Sequence, residues 1–72
     1  MLEDGTYDAL VFDAADHADG GVEVELTILS GPHKGEVVSL VSHDWSGDSL
    51  DLLGIPATLT VAGGRPSVTF EP

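Results

Sequence analysis

Apolar and polar residues alternate with a period of two along most of this chain. In Val22-Glu23-Val24-Glu25-Leu26-Thr27-Ile28-Leu29, Val22, Val24, Leu26 and Ile28 fall on one face, with Glu23, Glu25 and Thr27 on the other. Successive side chains of an extended chain point to opposite sides, so this segment predicts a half-buried antiparallel strand. Ala57-Thr58-Leu59-Thr60-Val61 repeats the pattern with the threonines outward, and Ser67-Val68-Thr69-Phe70-Glu71 repeats it with Val68 and Phe70 inward. Residues 6–13 and 36–42 are apolar on both faces. Their shortness and β-branched content favour strands over helices.

The punctuation between these segments agrees. Asp16-His17-Ala18-Asp19-Gly20-Gly21 predicts a turn joining the first two strands, and Ser30-Gly31-Pro32-His33-Lys34-Gly35 predicts one joining the second to the third. Ala62-Gly63-Gly64-Arg65-Pro66 predicts a tight hairpin, with glycine where positive φ is needed. Only residues 43–56 break the rhythm. There Ser46 or Asp48 can cap a short helical turn through Ser49-Leu50-Asp51-Leu52-Leu53, with Gly54 as its stop and Pro56 beyond. Leu50 and Leu53 are three apart and are expected to point at the same core.

Five strands with one short helical turn between the third and fourth predict an all-β fold, a small five-stranded antiparallel OB-like barrel. Curling the sheet also deals with the edges that a flat one would expose. An SH3-like barrel is the nearest competitor, but its helical turn usually falls between the fourth and fifth strands, where this chain has the Gly63-Gly64 hairpin. The 72 residues form a single expected domain, 1–72. A chain this short buries only about 60% of its unfolded surface, so its core is marginal.

Composition narrows the functional classes. Thirteen acidic residues face two basic ones, for a formal net charge of −11, while 42% of residues are hydrophobic. That hydrophobic share separates the chain from disordered acidic tails. Polyanion binding requires cations, and only Lys34 and Arg65 are available, so nucleic acid and anionic membranes are disfavoured partners. Such acidity suits a host with high internal salt, or a soluble acidic surface in an ordinary bacterium. The absence of cysteine excludes disulfides and thiolate metal sites. Met1-Leu2-Glu3-Asp4-Gly5 lacks the basic and apolar regions of a signal peptide, and no apolar run approaches the roughly 20 residues of a membrane span, so a cytoplasmic location is expected.

Gly5-Thr6-Tyr7 opens the first strand, the second runs into Gly31-Pro32-His33-Lys34-Gly35, and Leu53-Gly54-Ile55-Pro56-Ala57 precedes the strand pair. This order resembles small phage-type single-stranded-DNA-binding OB-fold domains over nearly the whole chain. The resemblance implies a nucleic-acid surface on the outer side of the second and third strands, built from aromatics and cations. Here that side carries Glu23 and Glu25 and no aromatic residue.

The remaining polar clusters have plainer readings beside the chemical ones. Asp13, Asp16, His17 and Asp19 before Gly20-Gly21 offer oxygen ligands, but the EF-hand spacing is absent and turn-forming Asp accounts for the residues, so no metal is expected. His33 and Lys34 form a candidate anion-contacting loop tip in a turn otherwise shaped by glycine and proline. His43-Asp44 suggests an oriented imidazole, although neighbours on a strand face opposite ways. Trp45 is expected either to cap one open end of the barrel or to serve as an interface anchor.

The expected function is a non-enzymatic small acidic OB-like binding module that engages another protein, or itself, through a strand edge or the Trp45 connector. Candidate binding residues are Glu23, Glu25, His33, Lys34 and Trp45, with no cofactor and no catalytic residue. Single-stranded nucleic-acid binding is the alternative, as is DNA mimicry by a continuous negative face of Glu23, Glu25 and the residues of the first turn. The charge balance also generates a stability prediction. With carboxylates mostly repelling one another, NaCl should raise the melting temperature by screening, measured by circular dichroism. A falling melting temperature would show that ion pairs of Lys34 and Arg65 dominate instead.

Overall fold

A computed structural model describes residues 2–45 and 47–71. The strands are β1 (Gly5–Asp16), β2 (Val22–Ile28), β3 (Val37–Ser42), β4 (Pro56–Ala62) and β5 (Arg65–Phe70), with a 3-10 turn, Ser49–Leu52, between β3 and β4. They form one antiparallel sheet in the order β3-β2-β1-β4-β5. The sheet curls into a half-barrel, and β3 and β5 approach within 8 Å across the gap without pairing. The fold is all-β with the helical turn in the expected place.

β1 organises the sheet. Its first half pairs with β4, from Gly5 opposite Val61 to Leu10 opposite Pro56, and its second half pairs with β2, from Ala9 opposite Ile28 to Asp16 opposite Val22. Between them the register slips, because Val11 faces Leu26 while Asp13 faces Glu25, leaving Phe12 as the extra residue of a bulge. A bulge bends its strand and resets the alternation of faces. Ala9 and Val11 are therefore buried, Phe12 and Asp13 are exposed, and Ala14 is buried again. Phe12 is 46% exposed for this reason. Tyr7 and Phe70 are half-buried against the core.

The core is small and aliphatic. Val11, Val24, Leu26, Ile28, Leu52 and Leu59 are its largest fully buried side chains. The inward face of β2 matches its alternation throughout. The connector does not match its expected contacts. Leu50 and Leu53 are 64% and 45% exposed, and Leu52 is the leucine that enters the core. Three residues make one 3-10 turn, so Leu50 and Leu53 do share a side, and that side faces solvent. The orientation is set by tethers on both sides. Asp48 Oδ1 accepts from the Leu50 N–H at 3.0 Å. The Gly54 N–H donates to Val11 O at 2.8 Å, and the Val11 N–H donates to Ile55 O at 3.0 Å. Asp48 is thus the cap, while Ser46, the other candidate, lies outside the described residues.

Two turns show what glycine supplies. Gly63 and Gly64 have φ of 60° and 76°, the double positive φ of a two-residue hairpin, and their N–H groups donate to the Asp4 carboxylate at 3.0 and 3.3 Å. Gly21 needs no unusual φ but has no room for a side chain. A Cβ there would lie 2.9 Å from Val41 Cγ1 and 3.0 Å from Ser42 O.

Leu52→Ala should cost about 2–4 kcal/mol in urea denaturation and Leu50→Ala less than about 1 kcal/mol, because only the first opens a cavity. Gly21→Ala should cost about 1–3 kcal/mol through overpacking against β3. Equal losses for Leu50→Ala and Leu52→Ala would contradict the observed orientation of the turn.

Candidate functional site

Two surfaces and one side-chain cluster stand out. The first surface is the outer face of β2. Glu23 is exposed between Ala15 and Val41, and Glu25 is half-buried with Ser39 on its β3 side. The bulge in β1 brings Asp13 directly opposite Glu25. Asp13, Glu23 and Glu25 line one shallow depression of about 90 Å³ together with Ala14 and Ala15. The candidate residues Glu23 and Glu25 thus share a concentrated anionic patch, joined by an aspartate that only the bulge places there.

The second surface is the open seam of the half-barrel. One cleft of about 380 Å³ is bounded by Val37 and Val38 of β3 on one wall, and by Leu2, Val61 and Pro66 on the other, with Glu36 at its rim. A second, of about 370 Å³, follows at the far end of β5 between Asp44, Trp45, Val68 and Phe70. Val38 and Leu40 point inward from β3 but are only half-buried, because no strand covers them on that side. Trp45 packs edge-on against Phe70 at 5.8 Å and donates its indole N–H to Asp48 O at 3.2 Å, so it bridges from the end of β3 to the end of β5. Val37 is 55% exposed.

The cluster centres on Asp19. Its Oδ1 lies 2.9 Å from His17 Nδ1 and accepts from the Gly21 N–H at 3.0 Å, while its Oδ2 lies 3.1 Å from His43 Nε2. The Gly21 N–H, then the His17 hydrogen bond, hold the Asp19 carboxyl below its ordinary value of 3.8, with a smaller electrostatic pull from both imidazoles. His43 therefore reaches from the end of β3 to the β1–β2 turn rather than pairing with Asp44, whose N–H donates to Ser42 Oγ. The register could have exposed this contact. Val22 opposite Ser42 places residue 43 beside residue 21, two positions from Asp19.

His33 and Lys34 part company. The His33 ring folds back on Glu36, 2.5 Å from its carboxylate, and stands edge-on to Tyr7 at 6.0 Å. Lys34 is exposed and pairs with no carboxylate among the described residues, as is also true of Arg65. Among the described residues, no group of three or more His, Cys, Asp or Glu side chains is arranged to hold a metal ion.

No family model matches this chain, and no curated protein or solved structure matches it.

The Asp19 cluster generates a pH prediction. A carboxyl with a lowered folded-state pKa stabilises the fold above its unfolded value and loses that contribution as pH falls through the folded value. Wild-type stability, followed by urea denaturation, should therefore drop below about pH 4. Asp19→Asn should be less stable at neutral pH and show a shallower acid decline. An unchanged acid slope in Asp19→Asn would remove Asp19 from this role.

Proposed function

We propose that this chain is a non-enzymatic, acidic OB-like binding module whose ligand is another protein, acting in the cytoplasm. The OB-like reading is supported by the strand order, with β1 between β2 and β4 and the edges of β3 and β5 brought face to face. The helical turn lies between β3 and β4, and β4 and β5 are joined by a two-residue hairpin.

The observation that carries the binding role is the seam. A domain short of core leaves Val38, Leu40 and Phe70 only partly covered on its inner side, with Val37 exposed at the cleft's rim and a half-buried tryptophan at the far end. Apolar surface rimmed by polar groups is characteristic of protein contact sites. The strong net charge keeps the free module soluble and favours a basic partner.

A second reading draws on a different observation. Asp13, Glu23 and Glu25 converge in one depression on the outer face of β2, which supports an acidic mimic of nucleic acid that occupies a basic cleft. The same carboxylates occupy the face on which the family resemblance would place single-stranded DNA, so direct nucleic-acid binding is the weakest of the three readings.

Carbodiimide coupling in native lysate joins carboxylates to the lysines of whatever is bound. It should yield a discrete adduct of this chain with a second protein. Fluorescence anisotropy with a single-stranded oligonucleotide at low salt should stay flat. Absence of any protein adduct, or tight oligonucleotide binding, would overturn the proposal.

A further inference from the structure

Five strands paired antiparallel at every step leave the two outermost strands pointing the same way. β3 and β5 can therefore close the barrel directly only by a parallel pairing, and they do not pair. A single added strand running opposite to β3 would be antiparallel to both edges and would complete the alternation.

The two edges are not equally open to such a strand. Ala62 and Arg65 flank the two-residue turn as a hydrogen-bonded pair, so Pro66 falls at a position whose backbone points away from β4. Its missing N–H therefore blunts the free edge of β5 without costing a ladder bond. β3 has no such guard. The Ile28 N–H donates to Glu36 O, and alternation from that pair commits Val38 and Leu40 to β2. The backbone groups of Val37, Ser39 and Val41 are left on the open side, where no other described residue hydrogen-bonds to them. Val37-Val38-Ser39-Leu40-Val41-Ser42 carries no charge and no proline, the composition that invites edge pairing.

We propose that the free edge of β3 accepts an extended, lysine- or arginine-bearing segment of a partner protein, which adds as an antiparallel sixth strand over the seam. This rests on the protein-binding reading and names the mode and the chemistry of the ligand. Charge selects this occupant. A second copy would bring another formal −11 against the first, and a nucleic acid would bring phosphates. A cationic strand instead runs between Glu36 and Asp44, which bracket β3, with Glu23 and Glu25 on the neighbouring strand. Its alternate apolar side chains fill the cleft beside Val38, Val61 and Pro66. To admit it, the seam widens from its closest approach, within 8 Å, to about 10 Å, twice the spacing between strands.

The probe is a synthetic peptide of about eight residues alternating Lys and Val, long enough to span β3. Titrated into the isotopically labelled full chain, it should bind and slow hydrogen exchange at the amides of Val37, Ser39 and Val41. Binding should weaken with NaCl, and a Glu-Val peptide should not bind. Ser39→Pro removes a donor from the open edge only and should weaken binding about tenfold or more. Should that variant fail to fold, the same peptide N-methylated at alternate residues tests the backbone bonds against the unaltered protein and should bind as weakly. Equal binding of the methylated peptide, protection confined to other amides, or a dimer of this chain through β3 would overturn the proposal. A lysate adduct unaffected by Ser39→Pro would overturn the edge mode while leaving the binding module standing; no adduct at all would remove the module itself.

Discussion

β1 is hydrogen-bonded to β4 along its first half and to β2 along its second, and a straight strand could not serve both while keeping its apolar side chains inside. The bend at Phe12 resolves the conflict, and the rest of the molecule follows from it. It lets Val11 and Ala14 both face the core although they are three residues apart. It also curls the sheet, so that β3 and β5 come to face each other. The connector reinforces the same point, because Gly54 and Ile55 hydrogen-bond to Val11, the last regular residue before the bulge. Leu52 is carried into the core by that attachment rather than by any preference of its own.

The distribution of charge follows the distribution of core. The core is aliphatic and holds no charged side chain among the described residues, so the carboxylates sit on outer faces and turns. Several have local structural tasks. Asp4 holds the Gly63-Gly64 hairpin, Asp48 caps the 3-10 turn and Asp19 gathers Gly21, His17 and His43. Glu23, Glu25 and Asp13 have no comparable partner among the side-chain contacts of the described residues, beyond the bond of Asp13 to its neighbour's N–H. Asp4, Asp19 and Asp48 serve turns, whereas Asp13, Glu23 and Glu25 gather on the outer face of β2 and its neighbour.

Much of the architecture was legible because strand periodicity is a local property. The alternation of residues 22–29 and 57–61 and the glycines at the turns placed the strands in the chain, within a residue or so of their observed ends. What was not legible depends on contacts between distant residues. The bulge at Phe12 has no local signature, since Phe12 and Asp13 read equally well as continuing a regular strand. The exposure of Leu50 and Leu53 is decided by bonds to β1, some forty residues earlier in the chain. The anionic patch was half visible: Glu23 and Glu25 came from their own strand, and Asp13 joined them only through the bulge. An open strand edge was expected, but that β3 and β5 frame it follows from the strand order, which joins segments far apart in the chain.

That order also has a consequence for how the chain acquires its structure. β1, β2 and β3 are consecutive hairpins whose partners are close in sequence, so their pairing closes only short loops. β4 and β5 make a hairpin of their own, and the pairing that closes the longest loop is that of β4 with the first half of β1. The clasp of Asp4 on Gly63 and Gly64 can form only together with that pairing. That long-range closure is the entropically costly contact of this fold, and Asp4 fastens together the two segments it joins.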